Sequence, residues 1–151
     1  MARTSLPITN LAANSAVTNL TNAGANMTAV DNVNGMTIAM PSNVIPAQGS
    51  GERLVLLVLN TNGVGQTVTV RAATKDGGAS KAGAGTQGPP FTPGFEGGKG
   101  DFTSAAMTAT TGIGVIGPFD PARFVQPDGT ISVDFSGATG FVSALLLQRA
   151  F

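Results

Sequence analysis

Residues 54–60, LVLLVLN, place six apolar side chains in succession, so a strand built from them is apolar on both faces. Antiparallel strands with one wet face alternate, and an unbroken run therefore needs cover on both sides, from the same chain or from a neighbouring subunit. Residues 66–73 behave differently: Val68 and Val70 alternate with Thr67, Thr69 and Arg71, the mark of one buried and one wet face. Between the two lies TNGVG, rich in residues that tolerate positive φ. The pattern predicts a hairpin, strands 53–60 and 66–73 closed by residues 61–65. A second stretch apolar on both faces, ALLL at 144–147, lies in a predicted last strand over 141–148.

Further strands follow from the same reasoning. Met36, Ile38 and Met40 share one side of a strand entered through the Asn34-Gly35 turn, and Pro41 and Pro46 bracket a loop that runs to Gly51. Residues 102–109 and 113–116 read as two strands separated by Thr110-Thr111-Gly112. Gly117-Pro118-Phe119-Asp120-Pro121 breaks the chain, 122–125 is a short segment, and Pro127-Asp128-Gly129 is a turn because Pro presets φ and Gly accepts a positive one. Ile131, Val133 and Phe135 then alternate with Thr130, Ser132 and Asp134. About eight to ten short strands with no helical periodicity predict an all-β fold, an antiparallel β-sandwich of jelly-roll type.

Two segments stand apart. Residues 1–26 are rich in Thr, Asn, Ala and Ser with irregularly spaced apolar residues, and predict an extended N-terminal arm with one short strand or two, ahead of a single sandwich domain over 27–151. Residues 75–100 hold nine Gly, three Pro and three Lys around Phe91 and Phe95, and no regular element survives that density of Gly and Pro. The embedded Phe residues favour a long loop that packs on a partner or on its own sheet, the alternative being a mobile loop.

Composition removes several function classes. Charged residues make up 11% of the chain and the formal net charge is zero, so the electrostatic attraction that nucleic acids require is missing. Weak net charge also protects poorly against self-association, which points to life in an assembly. The longest apolar run, six residues, is far short of the roughly 20 that span a bilayer as a helix. The N-terminal residues lack the apolar stretch of a signal peptide, so synthesis in a cytoplasm is expected. Cysteine and histidine are both absent, which excludes disulfides, thiolate and imidazole metal ligands, and Ser-His-Asp or Cys-His catalysis.

Asp120, Asp128 and Asp134 are the nearest carboxylates to an acid–base set, but a turn and a polar strand face are ordinary places for solvated aspartates. Asp31-Asn32-Val33-Asn34-Gly35 lacks the third oxygen position and distal Glu of a calcium loop, and reads as a turn. The GxGxxG at 83–88 has no strand before it and no helix after it, so it is not a dinucleotide site. No enzyme activity, cofactor or metal is expected.

Three groups of residues carry a resemblance: Val58-Leu59-Asn60-Thr61 with Thr67-Val68-Thr69-Val70; Ile116-Gly117-Pro118 leading to Arg123-Phe124; and Gln126-Pro127-Asp128-Gly129 before Ile131-Ser132-Val133-Asp134-Phe135. In these the chain resembles tailed-bacteriophage capsid decoration proteins, also called cement proteins. The first 50 residues and the Gly-rich segment fall outside the resemblance. The resemblance implies a β-sandwich that assembles as a homotrimer, or less often another oligomer, on the capsid exterior. There it would brace the major capsid protein against internal DNA pressure.

Within that expectation the contacts to capsid or neighbouring subunit are assigned to Leu6, Ile8, Leu11 and Val17 of the arm, Phe91 and Phe95 of the loop, and Phe119 and Arg123 of the Pro-rich turn region. Arg123 pairs there with Asp120 or with a partner carboxylate, or else is a solvated surface residue. The alternative is a host-surface or carbohydrate-binding β-sandwich of a head fibre or tail. The absence of Trp and Tyr counts against it, because such sites present aromatic rings with a polar handle.

Overall fold

The structure is a computed structural model that describes residues 2–11, 20, 26–40, 54–72, 101–119, 121–126 and 128–147. The elements run β1 (Thr4–Ser5), β2 (Ile8–Leu11), β3 (Thr28–Ala29), β4 (Met36–Ala39), β5 (Leu54–Asn60), β6 (Val68–Val70), β7 (Phe102–Thr103), β8 (Ile113–Ile116), the one-turn helix α1 (Pro121–Phe124), β9 (Thr130–Phe135) and β10 (Gly140–Leu147). They form an all-β sandwich. One sheet has the order β1-β4-β9-β6-β7, and the other β2-β10-β5-β8 with β3 also on β10.

The core is the set of side chains that the period of two points inward from each sheet. Met36, Ile38, Ile131, Val133, Phe135, Val68 and Val70 come from the first sheet, and Leu54, Leu56, Val58, Ile116, Val142, Ala144 and Leu146 from the second. The alternation predicted for 36–40 and 130–135 is borne out, since Met36, Ile38, Ile131 and Val133 are fully buried.

The predicted hairpin over 53–73 is not formed. β5 pairs with β10 and β8, whereas β6 pairs with β9 and β7, so the intervening residues cross from one sheet to the other. The two strands differ in pattern because they serve different sheets. β6 alternates in a sheet whose outer face is polar, and β5 is apolar from Leu54 to Leu59 in a sheet whose outer face is apolar. Asn60 secures the crossing: its buried amide donates to the carbonyls of Thr108 (2.9 Å), Val64 (3.1 Å) and Met107 (3.3 Å) and accepts from the Asn62 N–H (2.9 Å).

The N-terminal residues form two short strands, as expected, and these are built into the sandwich. β1 pairs in parallel with β4 and β2 in parallel with β10, so residues 2–11 are edge strands of both sheets and make each sheet mixed. The chain changes sheet at Leu6-Pro7, and Leu6 is buried in the core. Pairing with two established sheets supplies the stability that so short a local pattern lacks. The segment 102–109 is shorter than expected: β7 spans two residues, and Met107 then forms an isolated bridge with Gln66. The loops predicted over 41–51 and 75–100 lie outside the described residues.

Candidate interaction site

The two outer faces are chemically opposite. On the first sheet the outward positions carry Ser5, Thr37, Ser132, Thr69, Thr103, Asp134 and, just past β6, Arg71. Arg3 donates to Asp134 at 2.5 Å, Arg71 Nε donates to the other oxygen of Asp134, and Arg71 Nη1 donates to Asp101 at 2.6 Å. Burial works against the Arg71 charge, yet its hydrogen bonds to Asp101 and Asp134 hold its pKa above the ordinary value. Hydroxyls and ion pairs make up this side.

On the second sheet the outward positions are Thr9 and Leu11 on β2, Phe141, Ser143, Leu145 and Leu147 on β10, Val55, Leu57 and Leu59 on β5, and Ile113 and Val115 on β8. None is charged. Cover falls away across the sheet: Leu145 is 8% exposed and the three β5 residues are half-buried, but Ile113 is 69% and Val115 67% exposed. The double apolar face read from the sequence is therefore covered at Leu145, open at the end of β10, where Leu147 is 41% exposed, and most open at β8.

That open part borders a groove of about 350 Å³ lined by Phe102, Ser104, Ala105, Met107 and residues 114–117, where β7 and β8 edge the two sheets. Gly114 faces inward, and a Cβ there would lie 2.5 Å from the Met107 sulfur, so the glycine is what lets Met107 close the floor. Asn60 holds the Met107 and Thr108 carbonyls and fixes this wall to β5.

Among the described residues no strand pairs with the outer edge of β8. Asn60 N–H donates to the Gly112 carbonyl at 2.7 Å, in register with the β5–β8 ladder. Alternation of hydrogen-bonded pairs in an antiparallel ladder then gives Gly114 and Ile116 to β5, and points the N–H and C=O of Ile113 and Val115 outward. β8 is the last strand of its sheet, and among the described residues nothing pairs with those groups.

The residues nominated from sequence are dispersed. Leu6 and Phe119 are core residues, and Ile8 packs against the core. These three turn inward because β2 and the residues after β8 belong to the sandwich. Leu11 is half-buried on the apolar outer face. Phe119 meets Phe124 edge to face at 5.8 Å, and the Arg123 guanidinium lies 4.6 Å over the Phe124 ring, a cation–π contact. Val17, Phe91, Phe95 and Asp120 lie outside the described residues. Of the carboxylates weighed for catalysis, Asp134 is ion-paired, and Asp128 accepts from the Thr130 N–H and hydroxyl in its turn.

Sequence reasoning missed Phe102, Met107, Ile113 and Val115. A signal was present: a four-residue apolar strand between Gly112 and Gly117-Pro118, with a glycine inside it, fits a sheet edge better than a centre. Among the described residues no group of three Asp or Glu could hold a metal ion, and no helix is long and apolar enough to cross a membrane. Comparison with protein-family models, curated proteins and solved structures finds no match for this chain.

Proposed function

We propose that this chain is a structural, non-catalytic subunit of a tailed-phage virion that binds the capsid exterior and stabilises the head. The observation that carries the reading is the contrast between the two sides of the sandwich. One outer face carries hydroxyls and ion pairs, whereas the other is uncharged and opens at Ile113 and Val115 beside a groove that Phe102 of the first sheet also lines. Large exposed apolar side chains grouped around a groove mark a surface meant for another protein. The partners in this reading are the major capsid protein and further copies of the chain, with a homotrimer as the assembled form that the sequence resemblance implies. Synthesis in the host cytoplasm precedes docking on the finished capsid.

The test is co-sedimentation with phage heads that lack the protein. Wild type is expected to pellet with heads and to raise their resistance to heat. Phe102→Lys, which puts a charge at the groove, is expected to lose binding, while Thr37→Lys on the polar sheet retains it. Wild-type protein that stays in the supernatant overturns the reading.

A further inference from the structure

We infer that β8 is a pairing site for a second copy of this chain, the two β8 strands meeting antiparallel about a two-fold axis at Gly114. The inference rests on the reading of this side as an assembly surface and names its occupant. Ile113 and Val115 together present two outward N–H and two outward C=O groups. Only another extended backbone satisfies such a row of alternating donors and acceptors without side chains of its own reaching in. The strand is short, but no charge, no lysine and no proline, the residues that keep an edge single, lie within 113–116.

The geometry of β8 is self-complementary. With Gly114 opposite Gly114 of the second copy, Ile113 falls opposite Val115 of the second copy and each such pair exchanges both hydrogen bonds. Four bonds form, and every outward group of the strand is used. The residue on the axis belongs to a pair without hydrogen bonds, where Cα atoms approach to about 4.5 Å, and glycine leaves no side chains to collide there. The exposed Ile113 and Val115 side chains cover one another as branched cross-strand pairs. Their neighbours across the ladder, Leu59 and Leu57, then continue the same apolar face through both copies. An isologous contact of this kind closes on two subunits, so it predicts an even number of copies: a dimer, or two trimers joined where a three-fold contact is also made.

The experiment is light scattering after size-exclusion chromatography on the full chain across a range of concentrations, for wild type and Val115→Pro. The Val115 N–H faces away from β5, so proline removes a donor needed by the second copy and leaves the β5–β8 ladder its bonds. Wild type is expected at an even multiple of the subunit mass, and the variant at half of it. Amide hydrogen exchange on wild type needs no variant: protection at Ile113 and Val115 is expected to rise with concentration. A wild-type mass of one or three subunits at every concentration overturns the pairing, as does an unchanged mass in folded Val115→Pro or concentration-independent exchange at both amides. Head binding is read separately. A half-mass variant that still coats heads supports both readings, and a half-mass variant added to heads that wild type also fails to coat leaves the pairing standing while the capsid reading falls.

Discussion

Arg3 and Asp134 stand 131 positions apart in sequence and meet at 2.5 Å, binding the first residues of the chain to the strand β9 in the middle of the polar sheet. The Arg3 guanidinium also donates to the Val133 carbonyl at 3.1 Å. Asp134 is shared with Arg71, which in turn holds Asp101, so four charges alternate across the sheet with side chains 14–22% exposed for all but Arg3, which is 13% exposed. Removing Asp134 strips a partner from two arginines at once. Asp134→Ala is expected to cost about 2–3 kcal/mol, because hydrogen bonds to charged groups in such settings contribute about 1.5–3 kcal/mol. Arg3→Ala is expected to cost less, since Arg71 still holds Asp134. Urea unfolding of both single variants and the double variant checks this, and strictly additive losses would show that the pair is not coupled.

Gly35 explains how Arg3 reaches that place. Its φ is +71°, and a Cβ would overlap both the Arg3 guanidinium and the Asp134 carboxylate, with the Val133 carbonyl at 3.0 Å. Gly35→Ala therefore combines a left-handed backbone, about 1–2 kcal/mol for a residue with a side chain, with displacement of the ion pair. A loss of about 3 kcal/mol by urea unfolding is expected. In the Arg3→Ala background the backbone part, about 1–2 kcal/mol, is expected to remain and the part due to the Arg3 ion pair to vanish. A full additional loss in that background would place the cost in the backbone alone.

Asp31 sets a limit on acid stability. Its carboxylate accepts from the N–H groups of Asn34 (2.9 Å) and Val33 (3.0 Å) and from the Thr4 hydroxyl (2.6 Å). The Asn34 backbone bond, followed by the Thr4 hydroxyl, lowers its pKa from 3.8 to about 2. The folded value lies below the unfolded one, so the contribution is complete above the unfolded pKa and is lost as pH falls through the folded one. Wild type is expected to lose stability relative to Asp31→Asn between about pH 4 and pH 2. Thermal melts of the two at stepped pH values check the sign: a stability difference that stays constant over that window would mean the turn does not prefer the ionised carboxyl.

Leu6 turns the N-terminal residues from an appendage into part of the fold. It is buried where the chain passes from one sheet to the other, and its N–H donates to the Thr37 carbonyl at 2.8 Å. Leu6→Ala is expected to cost about 2–5 kcal/mol, the range for leucine truncation in a core. Deleting residues 1–11 would remove one edge strand from each sheet, and the circular-dichroism signal is expected to weaken and to melt at lower temperature. A truncated chain with wild-type melting would return these residues to the role of a detachable arm.

What the sequence made legible was the inward face. The alternation at Met36 and Ile38 and at Ile131 and Val133 is set by the burial of one side, and local pattern reports it directly. What it hid was partner choice between strands. The predicted 53–73 hairpin failed because a five-residue turn signal between two strands fits a crossing as well as a hairpin, and the deciding contact is the Asn60 amide to Thr108, 48 residues away. The same limit hid the interaction site: Phe102 and Val115 line one groove only because β7 and β8 end as the edges of different sheets. The apolar doubling of β5 was visible, but not that its open end would be Ile113 and Val115.

Gln66 offers a test of the core independent of any partner. It is fully buried beside the crossing from β5 to β6, and its backbone is tied to Met107 in both directions, at 2.8 and 3.2 Å. Its side-chain amide makes no hydrogen bond to the described residues. A buried polar group left without a partner costs about 1–3 kcal/mol, and an apolar group of the same shape avoids that cost. Methionine matches glutamine in length and lack of branching, and adapts to the tight wall at Gly137, where a Cβ would lie 3.0 Å from the Gln66 side chain. Gln66→Met is thus expected to raise stability by about 1–2 kcal/mol, or roughly 2–8 °C in Tm for a chain of this size. The backbone bridge to Met107 is untouched by the change, so a drop in Tm would mean that the amide is satisfied in solution and helps hold the groove wall in place.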